Sequence, residues 1–476
     1  MRSTRSPTAQ SEALATRRRF LAGGAALMAA PLLPSCVTRA PEERTVRTMQ
    51  LVAAPATAQL ADSTRPATAV WAYNGTIPGP VLRARQGDRL RIEVQNRLEQ
   101  ATTVHWHGVR VPNAMDGVPH ITQAPIEPGD RYLYEFALPD AGTYWYHPHH
   151  RSYEQSGRGL NGVLIVEERE PIRVDREIVW LLQDWRIDRD AAIVEPFRDP
   201  FDVTHAGRIG NFVTINGEAP KPLRVHSGER IRLRIVNAAN ARVFGLEFRG
   251  HRPIVVALDG QPVTPHEVPQ AKLVLGSAMR ADLVIDLLGE PGSRHEVHDT
   301  FYPRASRKLL DLVYSGESPL RASPPDWPIA IAPNTVPEPE LDRAQRHEIV
   351  LSGGMMGNMR GLPRGMAWAI NGKAMSCGTG LPFDPLLWLK RGETCALRLV
   401  NDTAWPHPIH LHGHVFRLLT RNGRAAPHRE WLDTVLLQAR ETVEVAFVAD
   451  NPGDWMFHCH VLEHQEGGMM ACVRVA

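Results

Sequence analysis

The sequence predicts an all-β fold of three consecutive β-sandwich units, and three observations carry that prediction. Turn formers are abundant: there are 37 glycines and 39 prolines in 476 residues, well above the roughly 12% of average usage, which favours many short strands over a helical bundle. A second signal is an ordered pattern that recurs three times: an Asn-Gly turn, a Gly-acid turn, then an alternating strand ending in Asn. The copies are Asn74-Gly75, Gly87-Asp88 and Leu90 to Asn96; Asn216-Gly217, Gly228-Glu229 and Ile231 to Asn237; and Asn371-Gly372, Gly392-Glu393 and Cys395 to Asn401. The third is a match between the ends of the first and last units. Asp140-Ala141-Gly142-Thr143-Tyr144-Trp145-Tyr146-His147 parallels the stretch from Asp450 through Gly453 to His458, with Gly five residues before His in both.

The chain opens on a segment that reads as an address rather than as structure. Thr16-Arg17-Arg18-Arg19-Phe20-Leu21 resembles a twin-arginine export signal and is followed by the short apolar stretch Leu21 to Leu33, so residues 1–35 are set apart from the fold. Leu33-Pro34-Ser35-Cys36 resembles a lipoprotein cleavage box, which leaves Cys36 either lipidated or unmodified. The expected compartment is the bacterial periplasm. Residues 1–35 hold five Arg and one Glu, so the rest of the chain is close to neutral although the whole carries a formal +2. A basic nucleic-acid-binding surface is therefore not indicated.

The repeats place one unit at 47–167, a second at 175–315 and a third at 346–476. Between the last two, residues 316–345 contain seven prolines from Pro319 to Pro339 and read as a stiff connector. Hydrophobic residues at 43% and charged residues at 22% are ordinary for a globular chain of this size. The five cysteines, Cys36, Cys377, Cys395, Cys459 and Cys472, form no disulfide framework. Strand alternation puts Cys395 on the inward face with Leu397 and Leu399, and Cys472 on the face of Arg474, which is expected to point outward.

The histidines carry the chemistry. They gather in His105-Trp106-His107, His147-Pro148-His149-His150, His407-Pro408-Ile409-His410-Leu411-His412-Gly413-His414 and His458-Cys459-His460-Val461-Leu462-Glu463-His464. One His-x-His pair is weak, since alternate strand residues share a face by chance. Four such groups in two related units point to metal binding, and imidazole suits Cu, Zn, Fe and Ni. His407, Cys459 and His464 offer two imidazoles and a thiolate, with Met469 five residues on. That donor set describes a blue-copper electron-transfer site; zinc tolerates His₂Cys but leaves the other histidines unexplained. The first unit contains no cysteine and the second no His-x-His pair.

With these residues in place, the four segments resemble the copper-binding segments of the multicopper oxidases, the family of laccases and bacterial cuprous oxidases. The motifs His-Trp-His-Gly, His-Pro-His, His-Pro-x-His-Leu-His-Gly-His and His-Cys-His-x₃-His-x₄-Met are intact and in family order across residues 47–476. The resemblance implies three cupredoxin-like Greek-key sandwiches and four copper ions. By it, His407, Cys459, His464 and Met469 hold a type 1 copper. His105 and His410 hold a type 2 copper, and His107, His147, His149, His412, His458 and His460 hold a type 3 pair. It further implies one-electron oxidation of a small reductant, with O₂ reduced to water at the interface of the first and third units. The middle unit is expected to be mainly a redox-silent spacer, and the protein a monomer.

Three carboxylates are candidates for supporting roles. Asp116 in Met115-Asp116-Gly117 matches the family's acid beside the cluster and is expected to assist proton delivery. Asp433 matches a position near the type 1 site, where it orients His407 or the substrate, or is an ordinary strand-end acid. A second family acid is replaced by Gln465, with Glu466 one residue late. Met355, Met356, Met359, Met366 and Met375 form a methionine-rich segment. Thioethers favour Cu(I), so the segment either docks Cu(I) or packs as adaptable apolar filler. The reductant is accordingly Cu(I), phenols or aromatic amines, the last two needing an accessible edge of His464. A copper-free envelope or division scaffold of the same architecture is the alternative, set against a complete set of twelve ligands.

Overall fold

The computed structural model describes residues 45–355, 357, 359, 361–375 and 384–476. The export segment, Cys36, Met356 and Cys377 lie outside the described residues. The three repeated Asn-Gly pairs form the same tight turn, with both residues left-handed: φ is 53° and 74° at Asn74-Gly75, 53° and 78° at Asn216-Gly217, and 48° and 74° at Asn371-Gly372. Such turns match strand twist, which is why Asn and Gly occupy them. The three asparagine side chains clasp equivalent strands. Asn74 Oδ1 accepts from Val52 N at 2.7 Å while its Nδ2 donates to Gln50 O at 2.9 Å. Asn216 bridges Leu181 N and Val179 O, and Asn371 bridges Val350 N and Glu348 O, in the same way. The strand-ending Asn96, Asn237 and Asn401 are also alike. Each accepts the N–H two residues on and donates to two carbonyls, satisfying buried backbone where the chain leaves the sheet.

Each repeat builds two sheets. In the first, strands Thr68–Tyr73, Val46–Ala58, Arg89–Asn96 and Arg131–Ala137 form one sheet, and Gly79–Arg85, Gly162–Glu167, Gly142–His147 and His105–His107 the other. The second has six- and five-stranded sheets between Arg176 and Tyr314, and the third seven- and five-stranded sheets between Gln345 and Val475. Non-consecutive strands lie side by side in every sheet. The opening strand of each repeat runs parallel to the repeat's alternating strand: Val46–Ala58 to Arg89–Asn96, Arg176–Trp185 to Glu229–Asn237, and Gln345–Gly353 to Thr394–Asn401. Alternation buries one face of every sheet. Leu90, Ile92 and Val94 meet Tyr144, Leu164 and Val166 in the first core, and Leu397 and Leu399 meet Leu411, Trp455 and Val473 in the third. Each such side chain stabilises by about 1.5–3 kcal/mol.

One expectation changes. Cys472 is as buried as Cys395, and both are free thiols. Its strand does turn it away from the third unit's core, but that outer face is covered: Met456, paired with Cys472, packs with Met470 against Val118 of the first unit. The proline-rich stretch is packed against the units that it runs between. Ile331 packs on Val256 and Val284, Asn334 bonds the backbone of Ala141, and Glu338 pairs with Arg417. Among the described residues, no helix is long and apolar enough to cross a membrane.

Candidate metal centres

Strand periodicity sorts the histidines onto two sides of one sheet. In His407–Leu411, Ile409 and Leu411 face the third unit's core, so His407 points inward with them and His410 points out. In Gly453–Cys459, Trp455, Phe457 and Cys459 point inward, and Met456 and His458 outward. The two strands pair Ile409 with Cys459 and His410 with His458. One centre therefore forms inside the third sandwich and another outside it, against the first unit.

The inner centre joins His407, Cys459 and His464, all fully buried. His407 Nδ1 lies 3.1 Å from His464 Nδ1 and 3.4 Å from Cys459 Sγ, and His464 Nδ1 lies 3.8 Å from that sulfur. His464 sits on the short helix α3 (Leu462–Glu466). Its Nε2–H donates to the carbonyl of His205 in the middle unit at 2.7 Å, and His407 Nε2 lies 2.8 Å from Thr403 Oγ1. Both Nδ1 atoms are thereby left facing the thiol. Burial holds the His464 imidazolium down to about 3 and pushes the Cys459 thiol far above its ordinary range. Met469 is buried in the same core, and its carbonyl accepts from Cys459 N at 3.0 Å.

The outer centre gathers eight histidines. His105, His107, His147 and His149 come from the first unit, and His410, His412, His458 and His460 from the third. His105 stacks on His412 at 3.9 Å and His107 on His410 at 3.8 Å, so each unit supplies half of each stack. The strand His105–His107 sends Trp106 into the first core and both histidines to the interface. Six of these rings have Nδ1 engaged. The partners are Asp116 O for His105, Pro148 O for His147, Asp433 O for His410, Asp116 Oδ2 for His412, Cys459 O for His458 and Ser277 Oγ for His460. Their Nε2 atoms converge, with His412 and His458 at 3.1 Å and His147 and His460 at 3.4 Å. His107 is reversed, its Nε2 being held by Asp433 and Thr434.

These donors fit metal. His105 Nε2, His107 Nδ1, His410 Nε2 and both nitrogens of His149 are buried without a hydrogen-bond partner. Uncompensated burial of that many polar atoms is costly, and lone pairs facing one another at 3.1–3.4 Å are relieved by a cation between them. Burial holds the cluster imidazoles His107, His147, His149, His412, His458 and His460 well below their ordinary value, hence neutral and ready to bind.

The carboxylates divide. Asp116 is buried between His105 and His412. Asp433 does not reach His407. It lies just before the strand Thr434–Leu437 and faces His107 and His410, where the Arg280 guanidinium holds it. Glu466 ends α3 half-buried and within electrostatic reach of Tyr153, and Gln465 is buried. The unread acid was Glu463, one residue before His464. It is fully buried, accepting from Arg208 N and Asn240 Nδ2, and burial raises its pKa. Of the methionines, Met355 is exposed, Met366 is half-buried, and Met359 and Met375 pack on the third core. The His464 ring offers no accessible edge: it is 0% exposed, beneath the His205 carbonyl and beside Trp368 at 4.2 Å. The middle unit borders both centres: Ser277 and the His205 carbonyl touch clustered histidines, and Arg280 and Asp259 touch Asp433 and Thr434 beside them.

Comparison with known proteins agrees with this geometry. Three family profiles described as multicopper oxidase match residues 55–171, 176–291 and 361–476. Multicopper oxidase MmcO of Mycobacterium tuberculosis is 33% identical, over 94% of this chain and 90% of its own. A copper resistance protein A homolog of Pseudomonas syringae pv. tomato is 27% identical, over 84% of this chain and 88% of its own. The crystal structure of a multi-copper oxidase from Pseudomonas thermotolerans superposes with a TM-score of 0.82 at 36% identity, covering 91% of this chain and all of that one. The chain belongs to the multicopper oxidase family, oxidoreductases that bind four coppers and use O₂.

Proposed function

We propose that this protein oxidises Cu(I) in the bacterial periplasm and passes the electrons to O₂, so that it serves copper tolerance. The observation that carries the choice of reductant is the sealed His464. With its ring buried and its Nε2–H on the His205 carbonyl, a bulky aromatic has no ring edge to touch. The methionine-rich segment borders that cover, Met355 N donating to Thr204 O at 2.9 Å. Thioethers there suit a soft cuprous ion, and the relationship to a copper resistance protein points the same way. A phenol-oxidising reading has its own support in Phe201, which is 65% exposed and stacks on His205 at 3.9 Å, a platform for a planar ring.

In this reading His407, Cys459, His464 and Met469 hold the type 1 copper. His105 and His410 hold the type 2 copper; His107, His147 and His460 hold one type 3 copper, and His149, His412 and His458 the other. When bound, the coppers supply one-electron oxidation at the first site and four-electron reduction of O₂ at the cluster. Cys459 ends the strand Gly453–Cys459, with His458 before it on the opposite face and His460 just beyond the strand, which makes the covalent path between the centres short. Asp116 holds the Nδ1–H of His412 through Oδ2, leaving Oδ1 as the atom able to take up a proton for the forming water. In this reading the three domains run over 47–167, 175–315 and 346–476, joined by 316–345. Residues 1–35 export the monomer by the twin-arginine route, with Cys36 as the candidate lipid-attachment site.

The test is O₂ uptake by copper-loaded protein given Cu(I) or a bulky methoxyphenol separately. Faster uptake with Cu(I), lost when Met355, Met356, Met359, Met366 and Met375 become Leu, supports the proposal. Comparable or faster phenol turnover without added copper, untouched by those changes, refutes it in favour of a laccase.

A further inference from the structure

Arg280 lies in the middle unit on strand Arg280–Leu287 and is completely buried. Its guanidinium spans both oxygens of Asp433, Nη1 to Oδ1 at 2.8 Å and Nη2 to Oδ2 at 2.6 Å, while Nε donates to the Thr143 carbonyl of the first unit at 3.3 Å. Asp433 Oδ1 also faces His107 Nε2 at 3.2 Å and His410 Nδ1 at 3.4 Å, and accepts from the Thr434 hydroxyl at 2.8 Å. Asp433 therefore determines which nitrogen carries hydrogen in two stacked rings from different units: its Oδ1 takes His107 Nε2–H, and its backbone carbonyl takes His410 Nδ1–H at 2.8 Å. That hydrogen is on Nε2 in His107 and on Nδ1 in His410. The nitrogens left over, His107 Nδ1 and His410 Nε2, are two of the buried atoms without a partner. On the middle unit's side, Asp259 Oδ2 accepts from Thr434 N at 3.0 Å and its Oδ1 from Arg280 N at 2.9 Å, which fixes the pair from behind.

A second observation points to the same pair. Gly108 closes the His-Trp-His-Gly motif at φ +84°, and a Cβ there would stand 2.2 Å from Arg280 Nη2 and 2.5 Å from Asp433 Oδ2. The motif's glycine leaves room for an arginine that arrives from another unit.

We propose that Arg280 is a positioning residue for the histidine cluster: by clamping Asp433 it holds His107 and His410 in their metal-accepting tautomers. The middle unit thereby sets the copper affinity of a site to which it gives no ligand. This rests on the ligand assignment above. A bidentate fork can serve both carboxylate oxygens at once, whereas a lysine ammonium acts as a point charge. Loss of such outer partners costs about 10–100-fold in metal affinity.

The experiment loads wild type, Arg280→Leu and Arg280→Lys with copper and equilibrates each against a graded chelator. Total copper, the type 1 blue absorption and the type 2 electron paramagnetic resonance signal are then read. The expected result is ~10–100-fold weaker retention of cluster copper in Arg280→Leu, a smaller loss in Arg280→Lys, and unchanged blue absorption in both. Wild-type retention in Arg280→Leu overturns the proposal. If that variant does not fold, Arg280→Lys decides: wild-type retention, or loss of type 1 copper in parallel with the cluster, overturns it. Failure of wild type itself to bind type 2 copper would instead contradict the ligand assignment.

Discussion

Replacement of Asp282 tests how the first and second units are held together. Asp282 is buried, and its Oδ2 accepts from Arg232 Nη2 at 2.7 Å, Arg232 Nε at 3.1 Å and Arg234 Nη1 at 2.8 Å. Its Oδ1 accepts from Thr143 of the first unit at 2.6 Å. Breaking a buried ion pair costs about 3–5 kcal/mol when a charge is left uncompensated. Here Glu168 still meets Arg232 at 2.6 Å and Glu177 still meets Arg234 at 2.8 Å, so both guanidiniums keep a counter-charge. The expected cost of Asp282→Ala is therefore at the lower end, about 3 kcal/mol, and of Asp282→Asn about 2 kcal/mol because one acceptor remains. Urea titration of copper-free protein, followed by tryptophan fluorescence, measures both. Burial raises the Asp282 pKa, but Arg234 and Arg232 outweigh it and hold the group below its ordinary 3.8. A depressed carboxylate stabilises above its unfolded pKa and ceases to do so as pH falls through its folded pKa. The gap between wild type and variant should thus be constant near neutrality and close below about pH 3.8. A loss under 1 kcal/mol, or a gap that widens in acid, would refute the reasoning.

Other outcomes follow from the same contacts. Cys459→Ser should abolish the blue absorption and reductant oxidation while cluster copper persists, as metal analysis would report. Met469→Leu should raise the type 1 potential in a redox titration with the fold intact, because the axial ligand that tunes the site is removed and the more highly charged ion loses more by having one donor fewer. Asp116→Ala frees the Nδ1–H of His412 and should cost about 10–100-fold in cluster copper affinity, read by chelator competition. Leu397→Ala, in the third core, should destabilise by about 2–5 kcal/mol in denaturant titration, with the metal content of the folded fraction unchanged.

What could be read in the sequence was whatever is encoded within a few residues. Asn-Gly turns, alternating strands and His-x-His pairs state their geometry locally, so the three sandwiches and the convergence of the histidines were legible. The partners that orient those rings were not. Ser277 reaches His460 across 183 positions, Arg280 reaches Asp433 across 153, and the His205 carbonyl caps His464 across 259. Such contacts depend on how units dock, which no spacing expresses. Cys472 was misread for the same reason: alternation gave its face correctly, but a face turned from its own core can still be covered by another unit. Glu463 was the exception, since it stands inside the motif beside His464 and its burial was open to inference from the apolar residues around it.

The asparagine clasps also bear on how the protein ages. Asn-Gly is the dipeptide in which the glycine nitrogen most readily attacks the preceding side-chain amide, converting Asn to Asp or isoaspartate. All three clasps use that dipeptide. In each, the amide nitrogen that would be lost donates to a backbone carbonyl, at 2.9 Å from Gln50 O, 2.8 Å from Val179 O and 3.1 Å from Glu348 O. Deamidation would put a carboxylate oxygen against that carbonyl and exchange attraction for repulsion at the first strand of the unit. Each repeat thus carries the same chemical clock, and while the clasp is closed the amide is held away from the reaction that would start it.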